Sequence, residues 1–251
     1  MVFQSLRDQR DRDGPALAEK MQAAIFDTLD RGFFYQEIES VDQNHCRCTD
    51  EYDDGAALAE HEFRSDRFSD GVRSGDVEWR LLAYRYRKIE RLYNTPNPLR
   101  EIFSERDFGA MVNLANDVND YTRNFLKIAR QMLRQASAVP GAVITVVSNS
   151  TLCATLAKAC LYDLARFIPP ENVYNSRDIG KVECIRSIQE RFGVRDNVVV
   201  IGDGPEEKEA ARQLRLQFFQ IDPHERGLRC WEPVEDIIQD HQRRHGGGGR
   251  R

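Results

Sequence analysis

The chain has 251 residues, of which 41% are hydrophobic and 31% are charged, so it can form one large domain or a core with an inserted subdomain. Acidic residues outnumber Lys and Arg by 41 to 36, and the net charge of −5 argues against a protein that binds nucleic acid in bulk. No apolar run approaches the roughly 20 residues of a bilayer-spanning helix, so no membrane partner is expected.

The first half of the chain is predicted to be helical. Pro15 opens a pattern of apolar residues at four-residue spacing that ends near Gly32. A polar, acidic stretch without sustained periodicity follows from Val41 to Gly75, and it is predicted to be disordered. A second helix is predicted from Asp76 to the breaker sequence around Pro96.

A further helical pattern has apolar residues at alternating spacings of three and four. These residues are Met111, Leu114, Val118, Tyr121, Phe125, Ile128 and Met132. The pattern fits either a coiled coil or a seam inside a helical bundle. Three heptads are marginal for a coiled coil, so one long helix in a bundle is the preferred interpretation.

The cysteines give weak signals. His45, Cys46 and Cys48 suggest a metal site, but Cys-x-Cys is tighter than usual zinc-ligand spacing and no second pair lies nearby. Other cysteines fall in apolar helical patterns, which is typical of free buried thiols in a reducing compartment.

After a turn at Pro140-Gly141, short apolar runs alternate with helical patterns. Strands are predicted at residues 143–147, 173–174, 198–201 and 218–221, with helices after Ser148-Asn149-Ser150 and over 179–192, 205–214 and 235–241. This alternation implies a parallel sheet with right-handed crossovers. The predicted organisation is therefore a helical subdomain over residues 1–140, a Rossmann-like core over 141–242 and a flexible tail over 243–251.

Polar residues follow the predicted strands, at the edge where ligands collect in an open parallel sheet. Ser148 follows the first strand, Lys181 begins a helix beside Gly180, and Asp203 follows the third strand, with Glu207 four residues on. A hydroxyl and a lysine hold phosphoryl oxygens, whereas carboxylates hold a hard cation such as Mg²⁺. Taken singly, Ser148 could be a helix cap, Lys181 a surface lysine and Gly-Asp-Gly a turn. The complete set in this order is a much more specific sign of a phosphate and metal site than any one of its residues.

The order strand-Ser, Gly-Lys, strand-Gly-Asp-x-x-x-Glu resembles motifs two, three and four of the haloacid dehalogenase superfamily. Three stretches, at 25–43, 76–95 and 155–211, resemble the Eyes absent domain specifically, and the resemblance runs from Val2 to about His241. It implies an α/β, Rossmann-like haloacid dehalogenase-type parallel sheet. The helical bundle would be an insert between the first and second motifs.

The resemblance also implies a function. Members of that family are Mg²⁺-dependent protein tyrosine phosphatases that also act as transcriptional coactivators in nucleus and cytoplasm. Ser148 and Lys181 would bind phosphate as catalytic residues, Asp203 would bind the metal and Glu207 would support the metal shell. Ser148 stands where vertebrate members have threonine, so the hydroxyl is retained. The implied partners are phosphotyrosine proteins and Sine oculis-type homeodomain transcription factors, with Dachshund-type proteins in the same network.

The superfamily nucleophile is not recognisable in this sequence. It is the first aspartate of Asp-x-Asp-x-Thr/Val directly after a strand, and the second aspartate acts as acid and base. Asp11-Arg12-Asp13 has the spacing but follows no apolar strand, and Asp27 and Asp30 lie three apart on a helix. The resemblance puts the motif, with the first core strand, just before Val2. Two interpretations follow: an incomplete sequence, favoured because loss of a central strand leaves unpaired backbone groups, or a coactivator module without catalysis.

Overall fold

The computed structural model describes residues 13–41, 47–52, 75–195, 197–221, 234 and 236–239. Most of the stretch predicted to be disordered, at 41–75, lies outside these residues, as do His45, Cys46 and the predicted tail. Thr49–Tyr52 forms one turn of 3-10 helix. Within the described ranges, no helix is long and apolar enough to cross a bilayer.

The described residues of the first half are mostly helical. The helices are α1 (Asp13–Gly32), α2 (Tyr35–Val41), α3 (Gly75–Tyr93), α4 (Pro98–Ile102), α5 (Glu105–Tyr121) and α6 (Phe125–Ser137). The ends of α1 and α3 agree with the boundaries predicted from Gly32 and from the breaker sequence around Pro96.

The prediction of one long helix through residues 111–132 was wrong, because the chain turns between α5 and α6. Arg123 and Asn124 have φ angles of 53° and 66°, in the left-handed region that ends a right-handed helix. The Thr122 hydroxyl donates to the Val118 carbonyl oxygen at 2.7 Å, which closes the last turn of α5. The apolar spacing continues across the turn, so periodicity alone could not reveal it.

The second half alternates strands and helices, as predicted. Its elements are β1 (Val146–Ser148), α7 (Leu152–Leu161), β2 (Val173–Asn175), α8 (Gly180–Phe192), β3 (Val199–Gly202), α9 (Pro205–Leu214) and β4 (Gln217–Gln220). Residues 234 and 236–239 are helical, within one residue of the predicted terminal helix. Strand β1 begins three residues later than predicted, and Val143 before it is half-exposed.

The four strands form two parallel pairs rather than one sheet. Val146 lies opposite Val173 in the β1–β2 pair, and Val199 lies opposite Gln217 in the β3–β4 pair. The predicted parallel direction is therefore confirmed, but no strand among the described residues joins the two pairs. Val199 and Ile201 on β3 are 36% and 41% exposed, unlike the buried side chains usual in a parallel sheet.

Helix α7 joins the two halves through one hydrophobic core. It packs against α1 on the helical side and against β2 on the strand side. Most of its residues are buried: Leu152, Cys153, Leu156, Ala157, Ala159, Cys160 and Leu161. A helix that is apolar on nearly all sides is typical of a core position. The predicted division at residue 140 stays a prediction, although this core contains residues from both sides of it.

Four cysteines, Cys48, Cys153, Cys160 and Cys184, are free and buried. Burial raises the pKa of Cys160 and of Cys184 to about 12. Since the thiolate is the reactive form, we expect iodoacetamide at pH 8 to leave these four thiols unlabelled in the native protein and to label all of them in denaturant. Peptide mapping by mass spectrometry measures both states. Rapid native labelling of Cys184 would contradict its position in the core.

Candidate functional site

A cavity of about 610 Å³ opens at the carboxyl ends of the strands. Its lining consists of Asn149, Ser176, Arg177, Gly180, Lys181, Val182, Pro205, Glu206 and Glu209. A larger groove of about 770 Å³ lies elsewhere, beside α5 and the loop after α7. The smaller cavity is the better candidate, because the chain segments that follow β1, β2 and β3 meet there.

Lys181 provides a positive charge in this cavity. Its side chain is only 13% exposed, its ammonium group bonds to the Glu207 carboxylate, and Nζ lies 3.2 Å from Glu206 Oε2. Gly180 before it has a φ of 78°, which a glycine adopts without strain where the chain enters α8. Burial lowers the pKa of Lys181, but its contacts with Glu207 and Glu206 more than offset this, so the pKa is raised overall. Lys181 therefore stays charged at neutral pH.

The two glycines of Gly-Asp-Gly make room for Glu207. A Cβ atom on Gly202 would lie 2.6 Å from Glu207 Cγ, and one on Gly204 would lie 2.6 Å from Glu207 Oε2. Real Cβ atoms essentially never approach so closely, so glycine at both positions lets the Glu207 side chain fold back toward Lys181. Taken singly, Gly-Asp-Gly could be only a turn, but in the structure its glycines also allow this close packing.

Ser148 ends β1 and shapes the loop that follows. Its Oγ accepts a hydrogen bond from the Ser150 amide at 3.1 Å, and its carbonyl accepts one from the Ser176 amide at 2.9 Å. The N-cap of α7 is Thr151, whose hydroxyl accepts a hydrogen bond from Ala154. Ser148 is thus not the helix cap, which was the alternative considered for it.

Helix α7 holds the same loop from its second turn. Lys158 Nζ donates to Ser150 Oγ at 3.0 Å, and burial lowers the pKa of Lys158. The loop that carries Ser148 and Asn149 is therefore fixed to a buried helix.

Three further polar residues connect the strand pairs at the cavity. Ser176 Oγ donates to Asn149 Oδ1 at 2.7 Å, and Asn149 Nδ2 donates to Glu206 Oε2 at 3.0 Å. The hydrogen bond from Asn149, followed by the interaction with Lys181, lowers the pKa of Glu206, so its carboxylate is ionised at neutral pH. The sequence gives no signal for this network, because its members lie 27 and 57 residues apart.

Of the four predicted site residues, the structure brings Lys181 and Glu207 into direct contact. Ser148 ends β1 and Asp203 follows β3. Among the four predicted residues, Lys181 lines the cavity, whereas Ser148, Asp203 and Glu207 are not among its lining residues. In the described parts of the chain, no group of three or more His, Cys, Asp or Glu is arranged to hold a metal ion. Because Glu207 is bound to Lys181 and Mg²⁺ favours octahedral oxygen coordination, these residues alone do not make a complete magnesium site. The phosphate and metal roles remain predictions.

Comparison with known proteins identifies relatives. No protein-family model matches the chain. It is 32% identical to human Protein phosphatase EYA1 over 245 residues, which cover 89% of this chain and 41% of that protein. It is 32% identical to Drosophila melanogaster Protein phosphatase eya over 224 residues, covering 83% of this chain and 29% of the relative.

A plant relative is covered over more of its length. The chain is 31% identical to Arabidopsis thaliana Protein phosphatase EYA over 223 residues, which are 83% of this chain and 71% of that protein. By contrast, the chain spans about two fifths of the human relative. The similarity thus extends across most of this chain and most of the plant protein, and the chain belongs to the Eyes absent (EYA) family of protein phosphatases.

Proposed function

We propose that residues 1–251 form the phosphate-binding part of an Eyes absent-type protein tyrosine phosphatase. The observation that carries the proposal is Lys181, a charged and largely buried ammonium group in a cavity at the strand ends. Phosphoryl transfer depends mainly on positioning and charge neutralisation. The names of the relatives support a phosphatase, and tyrosine specificity follows only from the family resemblance.

In this proposal Lys181 holds phosphoryl oxygens and Ser148 adds a hydroxyl donor, while Glu207 positions the lysine. Mg²⁺ is proposed as the cofactor on the resemblance, with Asp203 as its ligand and Glu207 in support. Bound Mg²⁺ would neutralise charge on the transferring phosphoryl group.

We also propose that the fold is of the haloacid dehalogenase type and that its first core strand belongs between β1 and β3. Support comes from the two separate parallel pairs and from the exposed Val199 and Ile201 on β3. A strand in this position would join the pairs into one sheet and cover part of that apolar surface. Its carboxyl end, with Asp-x-Asp-x-Thr, would point toward the cavity.

An activity assay tests the proposal. Residues 1–251 should hydrolyse a phosphotyrosine peptide no faster than a blank, because they lack a recognisable nucleophile motif. The same chain, extended at its N-terminus by a segment that forms a strand ending in Asp-x-Asp-x-Thr, should show Mg²⁺-dependent turnover that EDTA abolishes. Turnover by residues 1–251 would show that they contain an unrecognised nucleophile. A folded, extended chain without turnover would overturn the phosphatase proposal.

A second candidate function is a coactivator module that binds Sine oculis-type homeodomain transcription factors without catalysis, in nucleus and cytoplasm. The lack of a recognisable Asp-x-Asp-x-Thr in residues 1–251 favours this alternative. Tight binding of a purified homeodomain protein, together with an inactive extended chain, would support it over the phosphatase.

A further inference from the structure

The amide of Asn149 is held in one orientation at the wall of the cavity. Ser176 is 1% exposed, and its hydroxyl donates to Asn149 Oδ1 at 2.7 Å. Two backbone hydrogen bonds hold Ser176 in place: its amide donates to the Ser148 carbonyl, and its carbonyl accepts from the Gly180 amide. Because Asn149 Oδ1 accepts the hydrogen bond from Ser176, the two N–H groups of the Asn149 amide point away from Ser176.

The Glu206 carboxylate lies where these donors converge. One oxygen atom, Oε2, is 3.0 Å from Asn149 Nδ2 and 3.2 Å from Lys181 Nζ. An ammonium group and an amide that meet at one anionic oxygen also form a suitable binding site for a phosphoryl oxygen. The Glu206 side chain is 63% exposed, so rotation about its own bonds can carry it out into solvent.

We propose that Asn149 and Lys181 form a cradle for one oxygen of a phosphoryl group, and that Glu206 occupies this cradle until the phosphoryl group displaces it. The inference rests on the proposed phosphatase function and adds a specificity-determining residue, Asn149, and an internal competitor, Glu206. A ligand must replace a carboxylate that already holds both donors. The site therefore favours phosphate dianions over monoanionic carboxylates, which bring no more charge than Glu206.

Isothermal titration calorimetry of residues 1–251 with inorganic phosphate tests the inference. Glu206→Gln removes the competing charge and should strengthen phosphate binding about threefold or more. Asn149→Ala removes one donor and should weaken it about three- to tenfold. Acetate at equal concentration should compete poorly with phosphate in the wild-type protein.

Glu183→Gln is the matched control. Glu183 lies on α8 outside the cavity lining, and its carboxylate bonds to Arg186 rather than to Lys181 or Asn149. Its removal should change phosphate affinity less than twofold. Ser176 acts as a positioning residue through Asn149, so Ser176→Ala should weaken binding as Asn149→Ala does, and Ser176→Thr should restore it.

The outcomes separate this inference from the function on which it rests. If Glu206→Gln binds phosphate no better than wild type while Lys181→Met loses binding, the cavity binds phosphate and the proposed competition is wrong. If Asn149→Ala binds as tightly as wild type, the cradle is wrong. If phosphate does not bind to the wild type or to Glu206→Gln, both the cradle and the phosphate site of the proposed function are overturned. Circular dichroism of each variant verifies that it is folded.

Discussion

Replacing Lys181 with methionine is expected to weaken binding of inorganic phosphate about 10- to 100-fold, the loss typical of a hydrogen bond to a charged group. Methionine keeps much of the side-chain length and removes the charge. The effect should be large because the ammonium group is largely buried and its raised pKa keeps it protonated. Since the pKa of Lys181 is raised above that of an ordinary lysine, its contribution should be constant from pH 7 to 9 and disappear only as the pH rises through that pKa.

The matched control for this prediction is Lys208→Met. Lys208 is an exposed lysine on α9, outside the cavity lining, and its replacement should leave phosphate affinity nearly unchanged. Equal losses in the two variants would indicate a general charge effect rather than a site. Lys181→Arg should recover part of the affinity, because it restores the charge with a different geometry.

Replacing Leu156 with alanine is expected to lower the free energy of unfolding by about 2 to 5 kcal/mol, the range for a large-to-small change in a core. Leu156 is 0% exposed and lies on α7, which packs against both α1 and β2. Because α1 and β2 are regular elements, we expect them to move little into the space left by the Leu156 side chain. The loss of unfolding free energy should therefore lie in the upper part of this range. Urea unfolding followed by circular dichroism measures the change.

Val112→Ala on α5 is a suitable comparison, because the Val112 side chain is 41% exposed and lies outside the core. It should change the free energy of unfolding by less than about 0.5 kcal/mol. If Leu156→Ala were equally mild, the assignment of α7 to the centre of a shared core would be wrong.

The sequence predicted local features of this fold well. Gly193 ends α8 in the left-handed conformation expected of a helix C-terminus, and Pro205 opens α9 as a proline at the first turn should. Parallel strand direction followed from the alternation of strands and helices. These features are determined by residues that are adjacent in the sequence, so they can be predicted from a single sequence.

Features without a recognisable signal in the sequence pattern were missed. The turn at Arg123 and Asn124 interrupts a spacing that otherwise continues, and the separation of the strands into two pairs has no local signal. At the site, the contact between Lys181 and Glu207 joins two residues that the sequence analysis gave separate roles, and the metal role of Glu207 stays a prediction. Asn149 and Glu206 were overlooked because only the fold brings their side chains together.

The position of α7 affects how fragments of the chain are expected to behave. Residue 140 separates helices from strands, but a polypeptide that began there would expose the side of α7 that packs against α1. Apolar surface of this kind promotes association rather than an independent fold. A polypeptide ending at residue 140 would in turn leave the apolar face of α1 uncovered. Because the two halves share this packing, we expect variants in either half to change the same unfolding transition.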